Sequence, residues 1–424
     1  MNSDRKTTAT AKGRTTSAAL RWAALALCAA GPALAAQEWR QFRGPTGQGI
    51  ADAADVPVAW DAAQNIAWKA AVPGRGWSSP VVAHGRIWLT TAVSQGRDAS
   101  LRLLAFDADN GRAAGDLEIV RLRNAQLLNA KNSHASPTPI VDDERVYVHF
   151  GSAGTAAVAL DGAILWKVRY GCDTQHGSGA SPVLYRGLLI LTCDGFDAAY
   201  IVAVDVRTGK EQWKTPRRQP WSQAYATPLV IRVGDVDQIV SPTAFYAAAY
   251  EPLTGKEIWR VRYDDGFSNV PRPVFANGLV FIATGFQQPA LLAVRPDGYG
   301  DVTRSHVAWR LARGVPFTPS PLAVADRLYV LNDAGILTCV AIATGEVLWQ
   351  HRLPGSYSAS PVLAGGRIYF QSEEGLTTVV QPGPVFQSVA ANRLDGGMLA
   401  SMAVSGRSLY IRTEEHLYRI ATPP

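Results

Sequence analysis

Two histidines and an aspartate are the side chains of this 424-residue chain whose types and spacing most favour chemistry. His134 and His176 stand at nearly matching positions before two successive apolar runs, and Asp173 lies close to the second histidine. Two imidazoles and a carboxylate form a set that binds transition metals or relays protons. The same side chains also serve as ordinary hydrogen-bonding groups of loops, and that alternative stays open.

Basic and aromatic residues stand at equivalent points, each just before an apolar run. They are Arg75, Trp77, Trp221, Arg272 and Tyr357. With the histidines and Asp173 they predict a binding surface for a peptide or a glycan, if the fold brings these segments to one face. We expect the acidic residues of neighbouring loops to surround the same face, mostly as solvated turns: Asp194, Asp197, Asp333, Glu373, Glu374, Glu414 and Glu415.

Several common catalytic motifs are absent from the sequence, namely Gly-x-Ser-x-Gly, a phosphate-binding loop and His-Glu-x-x-His. Three cysteines follow residue 36, and their spacing does not match a metal site. In an oxidising compartment Cys172 and Cys193 are able to pair, and the alternative is two separate buried thiols. Cys339 is predicted to be a core residue.

A repeated pattern of strand, Thr-Gly turn and strand sets the elements that must position these side chains. In its clearest copy, Ala203–Trp213, Gly209 is free to take a positive φ and Trp213 follows four residues later. Similar copies place Trp166, Trp213, Trp259, Trp309 and Trp349 at intervals of 47, 46, 50 and 40 residues. Trp68 lies two periods before Trp166, with Leu117 near the missing tryptophan position. All-strand repeats of this length predict a β-propeller with one four-stranded blade per repeat.

A second landmark opens each repeat: a residue, usually Ser or Thr, followed by Pro and a short apolar run. The copies are Ser79-Pro80, Thr138-Pro139, Ser181-Pro182, Thr227-Pro228, Arg272-Pro273, Ser320-Pro321 and Ser360-Pro361. Ser401 begins an eighth copy that lacks Pro and a fourth strand. Residues 65–70 form an unpartnered strand before the first full blade, so we expect them to complete blade eight and close the ring. The prediction is an all-β, eight-bladed propeller over residues 65–424, preceded by a lead-in segment, residues 37–64.

Residues 1–36 have the pattern of a cleaved secretory signal peptide. Basic residues precede an apolar run from Trp22 to Ala30, and the small residues Ala33–Ala36 follow. Leu27 before Cys28 is too bulky for the usual lipoprotein signal. Removing this segment lowers the formal charge from +6 to about +2, which gives no electrostatic argument for nucleic acid. We therefore expect a periplasmic or secreted monomer with no membrane span after cleavage.

The Thr-Gly…Trp turns, the Ser-Pro strand openings and the segment Trp39–Pro45 together resemble the PQQ-like β-propeller superfamily. That superfamily includes the outer-membrane assembly lipoprotein BamB and the quinoprotein dehydrogenases. The resemblance covers residues 39–421 and implies that Trp68, Trp166, Trp213, Trp259, Trp309 and Trp349 dock neighbouring blades. By analogy with BamB it implies a non-catalytic scaffold that binds a protein or an envelope polymer through one face of the ring.

The alternative is an oxidoreductase that uses a quinone or a metal. The resembled dehydrogenases hold pyrroloquinoline quinone with calcium, and they stack a disulfide of two adjacent cysteines on the quinone. No two cysteines adjoin in this sequence, no Cys-x-x-Cys-His haem site is present, and no long insertion supplies a lid. We therefore predict no cofactor, while His134, His176 and Asp173 remain candidates for a metal.

Overall fold

Short antiparallel strands, formed where apolar residues alternate in the sequence, make up almost all the regular structure of the computed structural model. The structure describes residues 37–53, 55–61, 64–217, 223–263, 266–287 and 289–422. The strands of the first half are β1 (Ile66–Ala71), β2 (Val81–Ala83), β3 (Arg86–Gln95), β4 (Asp98–Asp107), β5 (Ala113–Leu122), β6 (Ile140–Val141), β7 (Arg145–His149), β8 (Thr155–Ala159), β9 (Ile164–Val168), β10 (Val183–Tyr185), β11 (Leu188–Asp194), β12 (Ala199–Asp205), β13 (Glu211–Pro216), β14 (Leu229–Val233), β15 (Val236–Pro242), β16 (Tyr246–Tyr250) and β17 (Glu257–Arg262). Within these described ranges one 3₁₀ turn is present, Gly151–Ala153, between β7 and β8.

The second half continues the same organisation. Its strands are β18 (Val274–Ala276), β19 (Leu279–Ala283), β20 (Leu291–Val294), β21 (Gly300–Asp301), β22 (Val307–Leu311), β23 (Leu322–Val324), β24 (Arg327–Leu331), β25 (Ile336–Ala341), β26 (Val347–Arg352), β27 (Val362–Ala364), β28 (Arg367–Gln371), β29 (Leu376–Val380), β30 (Ser388–Arg393), β31 (Ala403–Ser405), β32 (Ser408–Arg412) and β33 (His416–Ala421).

These strands form eight sheets, each the blade of a propeller. Blades one to seven begin at β2, β6, β10, β14, β18, β23 and β27, and blade eight has the order β1-β33-β32-β31. In blade eight Ile66 pairs with Ile420 and Ala71 with His416, so the strand before the first blade is the outermost strand of the last. The predicted all-β, eight-bladed propeller is confirmed. In every blade the segment before the first strand and the loop between strands two and three lie at one end, which we call the top face; the other turns form the bottom face.

Tryptophans on the outer strands join neighbouring blades, as at the boundary between blades two and three. The indole N–H of Trp166 donates to the Val206 carbonyl of the next blade at 3.0 Å. A Cβ on Gly209, which has φ +69°, would lie 2.9 Å from that indole, so only glycine allows this close approach. Comparable bonds to the next blade are made by Trp68 to Ala108, Trp213 to Pro252, Trp309 to Ile342 and Trp349 to Gly383. Trp259 instead donates to Gln238 of its own blade, whose amide donates to Pro296.

Blade one has Gly115 at this position, with Leu117 nearby on the same strand. The tryptophan of blade three pairs with Ala203, and the matching Ala105 of blade one pairs with Gly115. Leu117 pairs with Leu103, two residues further along the strand. Bulky Trp88 on the second strand pairs with Ala105 and occupies part of the space, leaving a hollow of about 60 Å³ beside Gly115.

Hydroxyl groups bind the innermost strands to one another around the channel, which explains the Ser or Thr before each proline. The amide N–H of Ser79 donates to the Thr138 hydroxyl of the next blade at 2.9 Å. The same bond runs from Thr138 to Ser181, Ser181 to Thr227, Arg272 to Ser320, Ser320 to Ser360 and Ser360 to Ser401. We call this set the hydroxyl belt. It satisfies buried amide groups that no ladder partner reaches.

The lead-in segment lies across the bottom end of the channel. Trp39 exchanges backbone hydrogen bonds with Val82 of blade one, and Ile50 forms a bridge with Leu363 of blade seven. Between these points the buried guanidinium of Arg43 donates to the Pro321 carbonyl of blade six at 2.8 Å. The channel is therefore covered at one end by the chain itself and opens toward the top face.

In the described part of the chain, no helix has the length and apolar character needed to cross a membrane.

Candidate binding site on the top face

A cleft with a volume of about 500 Å³ lies on the top face between blades two and three. Its walls come from the segments before β6, β10 and β14, the β7–β8 loop and the β11–β12 loop. The lining residues include His134, His149, Phe150, Cys172, Asp173, Cys193, Asp194, Phe196 and Tyr225. Five of these were singled out in the sequence: His134, Cys172, Asp173, Cys193 and Asp194. We refer to this hollow as the blade 2–3 cleft.

A disulfide between Cys172 and Cys193 holds one wall of the cleft in place. It ties the segment that enters blade three to the end of β11, whose loop closes back on the same segment. The amide N–H of Phe196 donates to the Asp173 carbonyl at 2.8 Å. A Cβ on Gly195 would lie 2.4 Å from that carbonyl oxygen, so the loop can pack this closely only with glycine there.

His149 forms the floor of the cleft, and it was not among the residues predicted from the sequence. It ends β7, is 3% exposed, and its Nδ1 lies 2.8 Å from the Thr155 hydroxyl oxygen. Burial lowers the pKa of His149 to about 4, because a charged imidazole there would lose its hydration. At neutral pH it is therefore an uncharged hydrogen-bonding group. Its only sequence signal was a polar residue closing the apolar run of β7.

The two histidines and the aspartate of the predicted cluster do not assemble into one site. His134 lines the cleft, where its Nε2 lies 3.1 Å from the Gln126 carbonyl oxygen and burial lowers its pKa. His176 instead packs beside Tyr225, with ring centres 6.1 Å apart. Among the residues that the structure describes, no group of three His, Cys, Asp or Glu is placed to hold a metal ion. The metal alternative is therefore not supported by this arrangement.

The other predicted binding residues differ in how deeply they are buried. The Arg75 guanidinium lies 5.6 Å from the Trp77 ring, and Trp77 is 9% exposed beside the channel. Arg272 and Tyr357 are almost fully buried, which corrects the expectation that they line the top-face mouth. Arg272 donates to the Phe42 and Pro228 carbonyls, and the Tyr357 hydroxyl donates to the Pro354 carbonyl at 2.9 Å. Trp221 lies outside the described residues.

Asp194 is the exception to the expectation that the acids of this face mostly occupy solvated turns. It is 4% exposed and forms a salt bridge with the fully buried Arg217. The Thr243 hydroxyl of blade four donates to Asp194 at 2.9 Å, and Arg217 donates to Ser241. A buried ion pair is favourable only when further hydrogen bonds satisfy both groups, as they do here. The pair joins blades three and four beneath the cleft.

A row of four phenylalanines crosses the top face from blade four to blade six. The ring centres of Phe245 and Phe267 are 6.5 Å apart, those of Phe267 and Phe286 are 5.7 Å apart, and those of Phe286 and Phe317 are 5.9 Å apart. Phe286 is 53% exposed and Phe317 is 37% exposed. The four residues come from different loops, so no sequence spacing relates them. We call them the phenylalanine row.

The row and the cleft are connected through Gln223. Its side-chain oxygen accepts from the Gln175 amide at 2.6 Å, and its carbonyl accepts from the Ser268 amide at 2.7 Å. Ser268 follows Phe267, while Gln175 lines the cleft. The top face therefore carries one extended surface that is polar over blades two and three and aromatic over blades four to six.

The donor groups of this face do not fit a quinone with calcium. Asp194, the buried carboxylate of the cleft, is already engaged by Arg217 and Thr243. The disulfide joins residues 21 positions apart rather than adjacent cysteines. Calcium requires several oxygen ligands converging on one point, and the described carboxylates of the cleft do not converge.

Comparison with known proteins agrees with this architecture. The family model described as outer membrane protein assembly factor BamB matches residues 119–241 and 243–383. The BamB of Moranella endobia (strain PCIT) is 24% identical over 248 residues, covering 56% of this chain and 59% of that protein. The chain thus spans little more than half the length of this curated relative.

Two solved structures share the fold at low identity. The crystal structure of BamB from Moraxella catarrhalis has a TM-score of 0.59 at 14% identity, covering 84% of this chain and 99% of that one. The quinohemoprotein alcohol dehydrogenase of Comamonas testosteroni has a TM-score of 0.64 at 11% identity, covering 92% and 81%. Because the family model covers more than half of the sequence, the chain belongs to the BamB family of PQQ-like β-propellers.

Proposed function

We propose that this protein is an exported, monomeric and non-catalytic propeller of the periplasm that binds polypeptide partners of the cell envelope through its top face. The observation that carries the proposal is the phenylalanine row, an exposed aromatic strip beside a polar cleft on the end of the ring that the lead-in leaves open. Exposed apolar strips on soluble proteins favour partner binding, since water solvates them poorly. The curated relative is named an outer membrane protein assembly factor, which agrees with this class of partner.

The spacing of the row favours an extended strand as its ligand. Side chains on one face of a β-strand repeat about every 6.6 Å, because each residue rises about 3.3 Å. The ring centres of the row are separated by 5.7 to 6.5 Å. An extended segment with an apolar residue at every second position therefore places successive side chains over successive rings. Strands of outer-membrane barrels have this alternation.

The test uses a fluorescent 12-residue peptide in which Phe alternates with Ser, measured by anisotropy against the mature chain. We expect Phe286→Ser with Phe317→Ser to weaken binding about tenfold or more, because two ring contacts are removed. The control replaces Leu253 and Val385, exposed at 52% and 66% in bottom-face turns, by Ser. Equal weakening by both pairs, or equal binding of a peptide with the same composition but no alternation, would refute the proposal.

A further inference from the structure

The connection between β20 and β22 is longer than the Thr-Gly turns at the same place in other blades, and it contacts the preceding blade. Its residues Gly300 and Asp301 form β21, which pairs in parallel with β17 of the preceding blade at Trp259 and Arg260. Among the described sheets, blade four therefore has five strands and the others have four. Ordering the extra residues costs conformational entropy.

Residues of this connection line an open cavity of about 580 Å³ at the outer edge between blades four and five. Three arginines surround it: Arg262 at the end of β17, Arg304 in the long connection and Arg310 on β22. Asp301 is the single acid of the described lining. The described lining therefore carries an excess of positive charge, with three arginines against one aspartate.

Asp301 does not neutralise all three guanidinium groups. Its carboxylate accepts from Arg262 Nε at 2.9 Å and from the Thr303 hydroxyl at 2.5 Å. Thr303 and Arg262 lower the pKa of Asp301 to about 2, so the carboxylate is charged and paired with Arg262. Arg262 also donates its amide N–H to Thr303 at 2.9 Å, which fixes the connection against β17. Within the described ranges, Arg304 and Arg310 have no ion pair or side-chain hydrogen bond.

From this arrangement we infer that the cavity binds an organic phosphate. Guanidinium groups present paired N–H donors that match the oxygens of a phosphate, and two free arginines supply two such forks. The volume is in the range of small-molecule sites and exceeds what an isolated phosphate ion needs. Leu292 and Val307 provide apolar wall on the same cavity, which suits the carbon part of a glycerol or sugar phosphate. The site shares no residue with the blade 2–3 cleft or the phenylalanine row.

The experiment compares two sources of the same chemistry. Isothermal titration calorimetry with glycerol 3-phosphate tests a soluble ester, and co-sedimentation with phosphatidylglycerol vesicles, against phosphatidylcholine vesicles, tests a lipid headgroup. Arg304→Ala with Arg310→Ala should weaken whichever binding is observed by about tenfold or more, since each removes a charge-assisted contact. The matched control is Arg207→Ala with Arg407→Ala, which removes two exposed arginines from bottom-face turns.

Thermal melts of both double variants should coincide with the wild-type protein, because all four side chains are exposed. If the paired substitution at 304 and 310 lowers the melting temperature, Arg304→Gln and Arg310→Gln are measured singly, and each should still weaken binding. Binding of the ester alone would identify a soluble ligand, and binding of anionic vesicles alone would identify a membrane surface. The inference is overturned if neither probe binds, or if the control pair weakens binding as much as the substitutions at the cavity.

Discussion

The indole of Trp60, in the lead-in segment, stacks on the ring of Tyr369 in blade seven with ring centres 6.3 Å apart and planes inclined by 17°. In blades two, five and six the matching ring of the second strand contacts a tryptophan of the fourth strand of the same blade, as Tyr329 contacts Trp349 at 6.0 Å. Blade seven has Ala390 where that tryptophan would stand. Trp60 therefore supplies to blade seven, from outside the repeats, the aromatic group that its own sequence lacks.

Replacing Trp60 by Ala should destabilise the fold by about 3 to 5 kcal/mol, because a large buried side chain leaves a cavity in the core. The indole is 3% exposed, and the backbone around it is held by hydrogen bonds with Asn392. Urea unfolding of the wild-type and variant proteins measures the change. The control is Tyr299→Ala, which removes an aromatic ring that is 80% exposed and should change stability by less than about 0.5 kcal/mol. A loss below about 1 kcal/mol for Trp60→Ala would show that the lead-in does not support blade seven.

The repeating residues made the blades predictable, whereas the exceptions depend on contacts distant in sequence. Counting four residues from Gly111 reaches Gly115, so the gap in blade one was available from the same spacing that located Trp213. The role of Trp60 was not available, because it lies outside every repeat and acts on a residue more than 300 positions away.

The sequence predicted which face of the ring carries the candidate site, but not which of the predicted residues line it. The position of Asp173 and His134 before their strands placed both in the blade 2–3 cleft. Arg272 stands at an equivalent position but takes the place of a belt hydroxyl, and its side chain is covered by Phe42 of the lead-in. Whether such a side chain turns toward the mouth or the interior depends on what fills the channel, which local sequence does not encode.

The hydroxyl belt predicts that Ser181 matters for its oxygen and not for its size. In Ser181→Ala the amide N–H of Thr138 loses its acceptor in a buried position, which should cost about 1 to 3 kcal/mol. Ser181→Thr keeps the hydroxyl and matches the residues that blades two and four use at this point, so it should retain most of the stability. Chemical unfolding of both variants provides the comparison. Equal losses from Ala and Thr would mean that packing around Ser181, rather than the hydrogen bond, is what holds the blades together.

His149 predicts a specific dependence of stability on pH. Burial lowers its pKa to about 4 in the folded chain, against about 6.5 when unfolded, so between these values the unfolded state binds the extra proton. The free energy of unfolding should therefore be independent of this group above pH 6.5. It should fall as the pH drops from 6.5 to 4, by about 3 kcal/mol in total.

Because carboxylates also titrate in acid, the useful quantity is the difference between variants. His149→Asn has no titrating ring, so its unfolding free energy should lose less between pH 6.5 and pH 4 than that of the wild-type protein. His84→Asn serves as the matched control, since it makes the same substitution at a histidine that is exposed in a bottom-face turn. Measurements at pH 7, 6, 5 and 4 define the two slopes. A wild-type slope equal to that of His149→Asn would mean that the imidazole keeps the same pKa in the folded and unfolded chains, so that burial does not hold it neutral below pH 6.5.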